Sequence, residues 1–232
     1  MKPFKRARLI FLLVLPLTLL LTASVAAQNK VAVIPLMSDC SAIQTVTSAG
    51  GRVWMDRNLG AYRVAQSVDD YQAYGWLYQW GRLADGHETR HSPTTTSLSA
   101  NNVPGHDYFI TVNASPNDWR SPQNDGLWHP ATGFNNPCPA GFRVPTETEW
   151  EAEMASWSSN NSAGAFASPL KLVVAGERSH ISGTLSFAGS NGYYWSSTVN
   201  GISASYLYFS TSGAYMHSTS RAYGLSVRCI KD

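Results

Sequence analysis

The chain has 232 residues, with 17 Lys and Arg against 15 Asp and Glu, and only 14% of its residues are charged. That balance excludes the basic footprint of a nucleic-acid binder and offers no charge run for a polyanion. Eight Trp, eleven Tyr and eight Phe supply enough apolar surface to exclude disorder.

Lys2, Lys5, Arg6 and Arg8 precede an apolar stretch from Leu9 to Leu21, and small residues follow from Ala23 to Ala27. Residues 1–27 therefore read as a secretory signal peptide. The alternative is an uncleaved anchor, but the run barely reaches the roughly 20 apolar residues that a spanning helix needs. No cysteine follows directly, which argues against a lipid anchor. Nor is there a second long apolar run, so the mature chain is expected to have no membrane span. The signal removes four basic residues and no acidic one, leaving a slightly acidic protein of secreted, periplasmic or cell-surface location.

Residues 28–42 read as a leader or linker, with a short β-like run, "KVAVIPL", ended by Pro35 and Leu36. "IQTVTSAGGRVWM", Ile43 to Met55, predicts a hairpin around Gly50-Gly51. In "YQAYGWLYQWGRLA", Tyr71 to Ala84, the spacing of Trp76, Trp80 and Leu83 predicts a helix with a core-facing stripe, although Gly75 and Gly81 weaken it. From Asp85 to Gly133 the chain is polar and turn-rich. A connection this long within a compact domain is usually functional or disordered.

A second helix is well marked. Thr146 to Glu149 forms a capping box, and Trp150, Met154 and Trp157 line one face. The remainder predicts strands at Leu170–Gly176, Gly192–Thr198, Ala204–Thr211 and Tyr223–Lys231, separated by Gly, Ser and Asn turns. In the last of these, Leu225, Val227 and Cys229 share one face. Export favours disulfides, and Cys138 with Cys229 is the expected pair, since both adjoin core-like segments. Closing that loop is worth about 4 kcal/mol in the chain-entropy account. Cys40 is left over as a free thiol or a link to another chain.

Six blocks, "VWMDRNLGA", "YGWLYQWGR", "NDGLW", "NPCPAGFRVPTETEWEA", "GYYWSST" and "YGLSVRCIKD", occur in this order. Together they resemble the Fibrobacter succinogenes major paralogous domain family from about Val46 to Asp232. That family is similar in turn to the formylglycine-generating, sulfatase-modifying enzymes. There an Arg-Leu-Pro-Thr-Glu-x-Glu-Trp block and a terminal Arg-Cys strand stand where Arg143 to Trp150 and Arg228-Cys229 stand here. The resemblance implies one domain over residues 43–232 of α+β class. Its expected form is a C-type-lectin-like fold, with two helices beside a small twisted antiparallel sheet and long loops on one side. It implies no activity; surface attachment and carbohydrate binding are the roles associated with it.

Three kinds of chemistry can be weighed. A thiol enzyme of the formylglycine-generating type needs reactive cysteines near the C-terminus, and Cys229 is assigned to a bridge. The six histidines show no ligand spacing. Calcium suits the oxygen donors Asp118, Asn124 and Asp125 on a loop. Against this, the Glu-Pro-Asn or Gln-Pro-Asp tripeptide of sugar-binding C-type lectins is absent, and turn-forming roles explain the same residues. Trp119, Arg120, Asn124, Asp125 and Trp128 would make a polar–aromatic glycan surface, unless the two tryptophans instead anchor the loop to the core. The sequence thus points to a non-catalytic binding or adhesion module for a glycan or cell-surface protein. The alternatives are an extracytoplasmic enzyme and an assembly subunit linked through Cys40.

Overall fold

The computed structural model describes residues 43–232. The expected signal peptide, the "KVAVIPL" run and Cys40 lie outside them. In chain order the strands are β1 (Thr45–Thr47), β2 (Val53–Met55), β3 (Tyr78–Gln79), β4 (Thr94–Thr95), β5 (Phe109–Ile110) and β6 (Phe142–Arg143). The helices α1 (Glu147–Met154) and α2 (Ser162–Ala167) follow. After them come β7 (Glu177–Arg178), β8 (Leu185–Ser186), β9 (Gly192–Asn200), β10 (Ser203–Ser210), β11 (Gly213–Ser220), β12 (Gly224–Leu225) and β13 (Ile230–Lys231).

The α+β expectation is overturned. The helices span eight and six residues, whereas strands recur along the described chain in several small sheets. The architecture is mainly β. One sheet has the order β1-β2-β13-β6, a second β11-β10-β9 and a third β3-β12-β7-β8, all antiparallel. A small parallel pair joins β4 and β5.

Local chemistry accounts for the elements that form. The β1–β2 hairpin pairs Val46 with Trp54 around the predicted glycine turn, and Gly51 takes a φ of +80° there, which a side chain resists. β9, β10 and β11 form a meander whose side chains alternate between two faces, with a register shift between Ala204 and Tyr206. Tyr194, Leu207, Phe209 and Ala214 point toward the helices and share a buried cluster with Trp54 and Trp150. Trp195 and Tyr206 point the other way, into a second cluster with Trp80, Trp119, Trp128 and the Cys138–Cys229 disulfide.

The capping box is present. Thr146 Oγ1 accepts from the Glu149 amide at 3.3 Å, and Glu149 Oε2 accepts from the Thr146 amide at 2.9 Å. Arg143 secures it by a two-pronged pair with Glu149, at 2.7 and 2.8 Å. Burial works against the Glu149 charge, but Arg143 and the Thr146 amide hold its carboxyl down to about 2.

Two further sequence expectations fail. Tyr71–Ala84 is no helix: a 3-10 turn covers Tyr71–Ala73, and the chain then runs extended into β3. Gly75 and Gly81 sit at φ of +68° and +84°, and a Cβ on Gly75 would fall 2.3 Å from the Leu59 carbonyl. Helix is therefore excluded whatever the tryptophan spacing. Leu170–Gly176 is buried but joins no ladder. Strand β11 and helix α2 had no forecast at all.

Buried arginines hold these irregular stretches together, because loop carbonyls need partners that a ladder does not supply. Arg178 donates to the carbonyls of Thr89, Ser92 and Gly183. Arg228 donates to Leu170 O and Asn58 Oδ1, and burial lowers it to about 10.

Candidate functional site

The sequence placed a binding surface in the long polar segment. The structure fills that segment with core. Trp119 is fully buried, with its indole N–H donating to Trp80 O at 2.7 Å and the Arg82 guanidinium 5.5 Å above its ring. Trp128 is buried too, donating to Asn135 O at 2.9 Å and packing 5.6 Å from Trp80. Neither ring has a face to offer a sugar, so the anchoring alternative describes them.

The oxygen donors are also committed. Asp118 accepts from the Arg120 amide and Gln123 Nε2, and burial raises its carboxyl. Asn124 Oδ1 accepts from the Gly126 amide in a local turn, while its amide donates to Asn102. Asp125 accepts from Arg221 Nη2 at 2.6 Å, and Arg221 Nη1 lies 3.8 Å from Asp118. Arg221, stacked 4.8 Å over Trp80, thus supplies the positive charge between the two carboxylates. Arg120 turns back on its own loop, donating to Pro122 O. The five residues are neighbours, but as a loop anchor.

Among the described residues, one group of three has donor atoms close enough for a metal: Asp85, His87 and Glu88. Its geometry is closed. His87 Nε2 accepts from the Gln79 amide at 3.0 Å, so the ring proton sits on Nδ1, 2.6 Å from Asp85 Oδ1. Arg82 holds the other Asp85 oxygen at 2.7 Å. Both imidazole nitrogens are engaged, leaving no lone pair for an ion. The group braces β3 against the following loop.

Open aromatic surface lies elsewhere, around Trp76, which the sequence assigned to a core-facing stripe. Tyr62 is 88% exposed, Tyr71 74% and Trp76 37%. They line a surface cleft of about 330 Å³ together with Gln72, Arg90 and His91. Its walls are fixed by backbone bonds: the Tyr62 amide donates to Gln72 O and the Trp76 amide to Leu59 O, each at 3.0 Å. Trp76 lies flat on Gly60, where a Cβ would strike its ring at 2.2 Å. Glycine there is what lets one indole face rest on backbone while part of the ring stays open.

Asp70 locks the 3-10 turn beneath Tyr71. Its carboxylate takes both prongs of Arg63, at 3.0 and 3.1 Å, as well as the amides of Gln66 and Gln72. Arg63, then those amides, hold its carboxyl below the ordinary range. Arg90 closes the floor. It donates to Gly75 O and Ala175 O and stacks 5.2 Å from Tyr74, and among the described residues its Nη1 has no hydrogen-bond partner. The cleft therefore joins rigid aromatic faces to polar groups of the kind that hold hydroxyls. Sequence reasoning missed it. The available signal was two tyrosines in a glycine-flanked polar stretch with no apolar periodicity to claim them.

A family model described as a domain of unknown function, DUF8237, matches residues 154–230. That span runs from the end of α1 through the meander to β13 and leaves out the cleft's aromatic residues. No curated protein and no solved structure matches the chain.

Proposed function

We propose that this protein is a secreted or surface-associated, non-catalytic binding module that takes a carbohydrate in the Tyr62–Tyr71–Trp76 cleft. The observation carrying this reading is the exposure of three aromatic rings on a scaffold fixed by backbone bonds and the Arg63–Asp70 pair. Exposed large rings cost a soluble protein solubility and repay it when they bind. Sugar rings present C–H faces that stack on Tyr and Trp, and Gln72, His91 and Arg90 Nη1 would serve the hydroxyls. The motif resemblance, with its expectation of surface attachment, agrees with this use. Binding by this cleft needs no calcium, since it contains no carboxylate.

The test is a glycan array probed with the mature chain, with and without chelator. Tyr71→Ala and Trp76→Ala are expected to weaken a bound glycan by about tenfold, the scale of a lost stacking contact. Chelator should leave the signal unchanged. Absence of any glycan signal, or signal that survives both substitutions, would refute the reading.

A further inference from the structure

A second aromatic region lies beside a carboxylate that has no partner among the described residues. Glu177 lies on β7 beside Arg178, whose guanidinium turns inward to Ser92 and stacks 4.2 Å from Phe109. Gly224 pairs with Arg178, and a Cβ there would meet the Arg178 Cβ at 2.9 Å. These two therefore face one side, and alternation puts Glu177 and Tyr223 on the other.

On its opposite edge Glu177 pairs with Ser186. The next residue, Phe187, has its ring 6.2 Å from Tyr193. Tyr193 opens a continuous row along β9, β10 and β11. Its ring lies 6.0 Å from Tyr206 and 5.4 Å from Tyr208, and Tyr208 lies 4.8 Å from Tyr215. Burial raises the phenols of Tyr193, Tyr206 and Tyr223, and the nearby charge of Glu177 adds to it.

No cation answers that charge. Among the described residues Glu177 forms no ion pair and its carboxylate accepts no hydrogen bond. Burial alone acts on the group and pushes it up to about 7. Several buried acids elsewhere are paired, Asp85 with Arg82, Asp70 with Arg63 and Glu149 with Arg143, and the buried Glu153 accepts at least the Trp157 indole N–H. A half-buried, unpaired carboxylate is a standing cost to the fold. Tyr193 and Tyr206 are buried, but Tyr208, Tyr223 and the half-exposed Tyr215 keep open ring surface, and electron-rich ring faces attract positive charge as well. A metal ion would find a single carboxylate, too few ligands for a hard cation. An alkylammonium group satisfies both features, with its charge against the carboxylate and its methyl or methylene groups against the rings.

We infer that Glu177 and the tyrosine face of β9–β11, with Tyr223, form a second site that binds an alkylammonium group, separate from the Tyr62 cleft. The ammonium would come from a quaternary amine such as choline or from a lysine-type primary amine.

Choline and Nα-acetyl-lysine amide are titrated into the mature chain while tyrosine ring resonances are followed. The probe 3,3-dimethylbutanol, an uncharged isostere of choline, is the control. At least one ammonium should bind about tenfold tighter than the alcohol, the discrimination a carboxylate and ring faces give. Which of the two prevails identifies the source. Glu177→Gln should weaken that binding by about tenfold, and Tyr215→Ser, at a half-exposed ring, by about threefold. Circular dichroism checks that both variants keep the fold, and Glu177→Gln should leave glycan binding at the Tyr62 cleft unchanged. The inference is overturned if neither ammonium binds at millimolar concentration, if the alcohol binds as well as choline, or if Glu177→Gln binds like the parent.

Discussion

Two aromatic regions have exchanged the roles that their sequences suggest. Trp119 and Trp128 sit among Asn, Asp, Pro and Arg, the company of a binding loop, yet both are buried with their N–H groups spent on core carbonyls. Trp76 sits at helical spacing from Trp80, the company of a core, yet it opens onto a cleft beside Tyr62 and Tyr71. What separates them is the backbone beneath. The polar segment folds back onto β3 under Arg82 and Arg221 and needs large anchors to do so. The 60–76 segment turns through glycines at positive φ that lift its rings off the core.

The largest expected effect tests the buried side of that contrast. Trp119→Ala should cost about 3–5 kcal/mol of unfolding free energy, as truncating a fully buried tryptophan does. A urea melt showing a loss below about 1 kcal/mol would mean that the segment is peripheral. Replacing Cys138 and Cys229 by Ser, which releases the same segment from β13, should cost about 2–5 kcal/mol.

A middle-sized effect comes from two carboxylates in opposite circumstances. Glu149→Gln should cost about 1–2 kcal/mol at neutral pH, the range of a lost helix cap. With a folded-state value of about 2, its contribution is present above the unfolded value near 4.5 and lost as pH falls toward 2. The parent and variant melts should converge there. Glu177 has the reverse sign. Its folded value near 7 favours the protonated form, so stability declines as pH rises from about 4.5 through 7. Glu177→Gln should match the parent at pH 4 and exceed it at pH 8. The groups coupled to it, Tyr193, Tyr206 and Tyr223, stay protonated across that range, since burial raises all three. A variant less stable than the parent at pH 8 would show that the carboxylate is paired after all.

The smallest effect tests the exposed side. Tyr62→Ala should change stability by less than about 0.5 kcal/mol, because an 88% exposed ring makes few contacts. A larger loss would mean that the cleft aromatics belong to the core after all.

What the sequence disclosed was local or chemically strict. The capping box at Thr146 is written in four consecutive residues. The Cys138–Cys229 pairing follows from the core-like segments that adjoin both cysteines. The strand runs at Gly192 and Ala204 carry enough β-branched and aromatic residues to be read singly. What stayed hidden depends on partners far apart in sequence. Arg221 pairs with Asp125 across 96 residues, a partner that nothing in the loop's own sequence marks. Arg143 has no assignment in its own stretch until Glu149 folds back to it. The helix expected at Tyr71 failed because three correctly spaced side chains weighed less than two glycines whose φ values no helix contains. The fold class failed too: the α+β form came with the resemblance, whereas of the two helix signals one is a single 3-10 turn and the other only eight residues long.

Strand β13 lies between β2 and β6, so residues 230–231 complete a sheet whose other members are contributed from residue 45 onward. A chain delivered N-terminus first, from a ribosome or through a membrane pore, holds β2 and β6 apart until that late segment arrives. This sheet therefore closes only once β13 is in place, whatever the β1–β2 hairpin has done by itself.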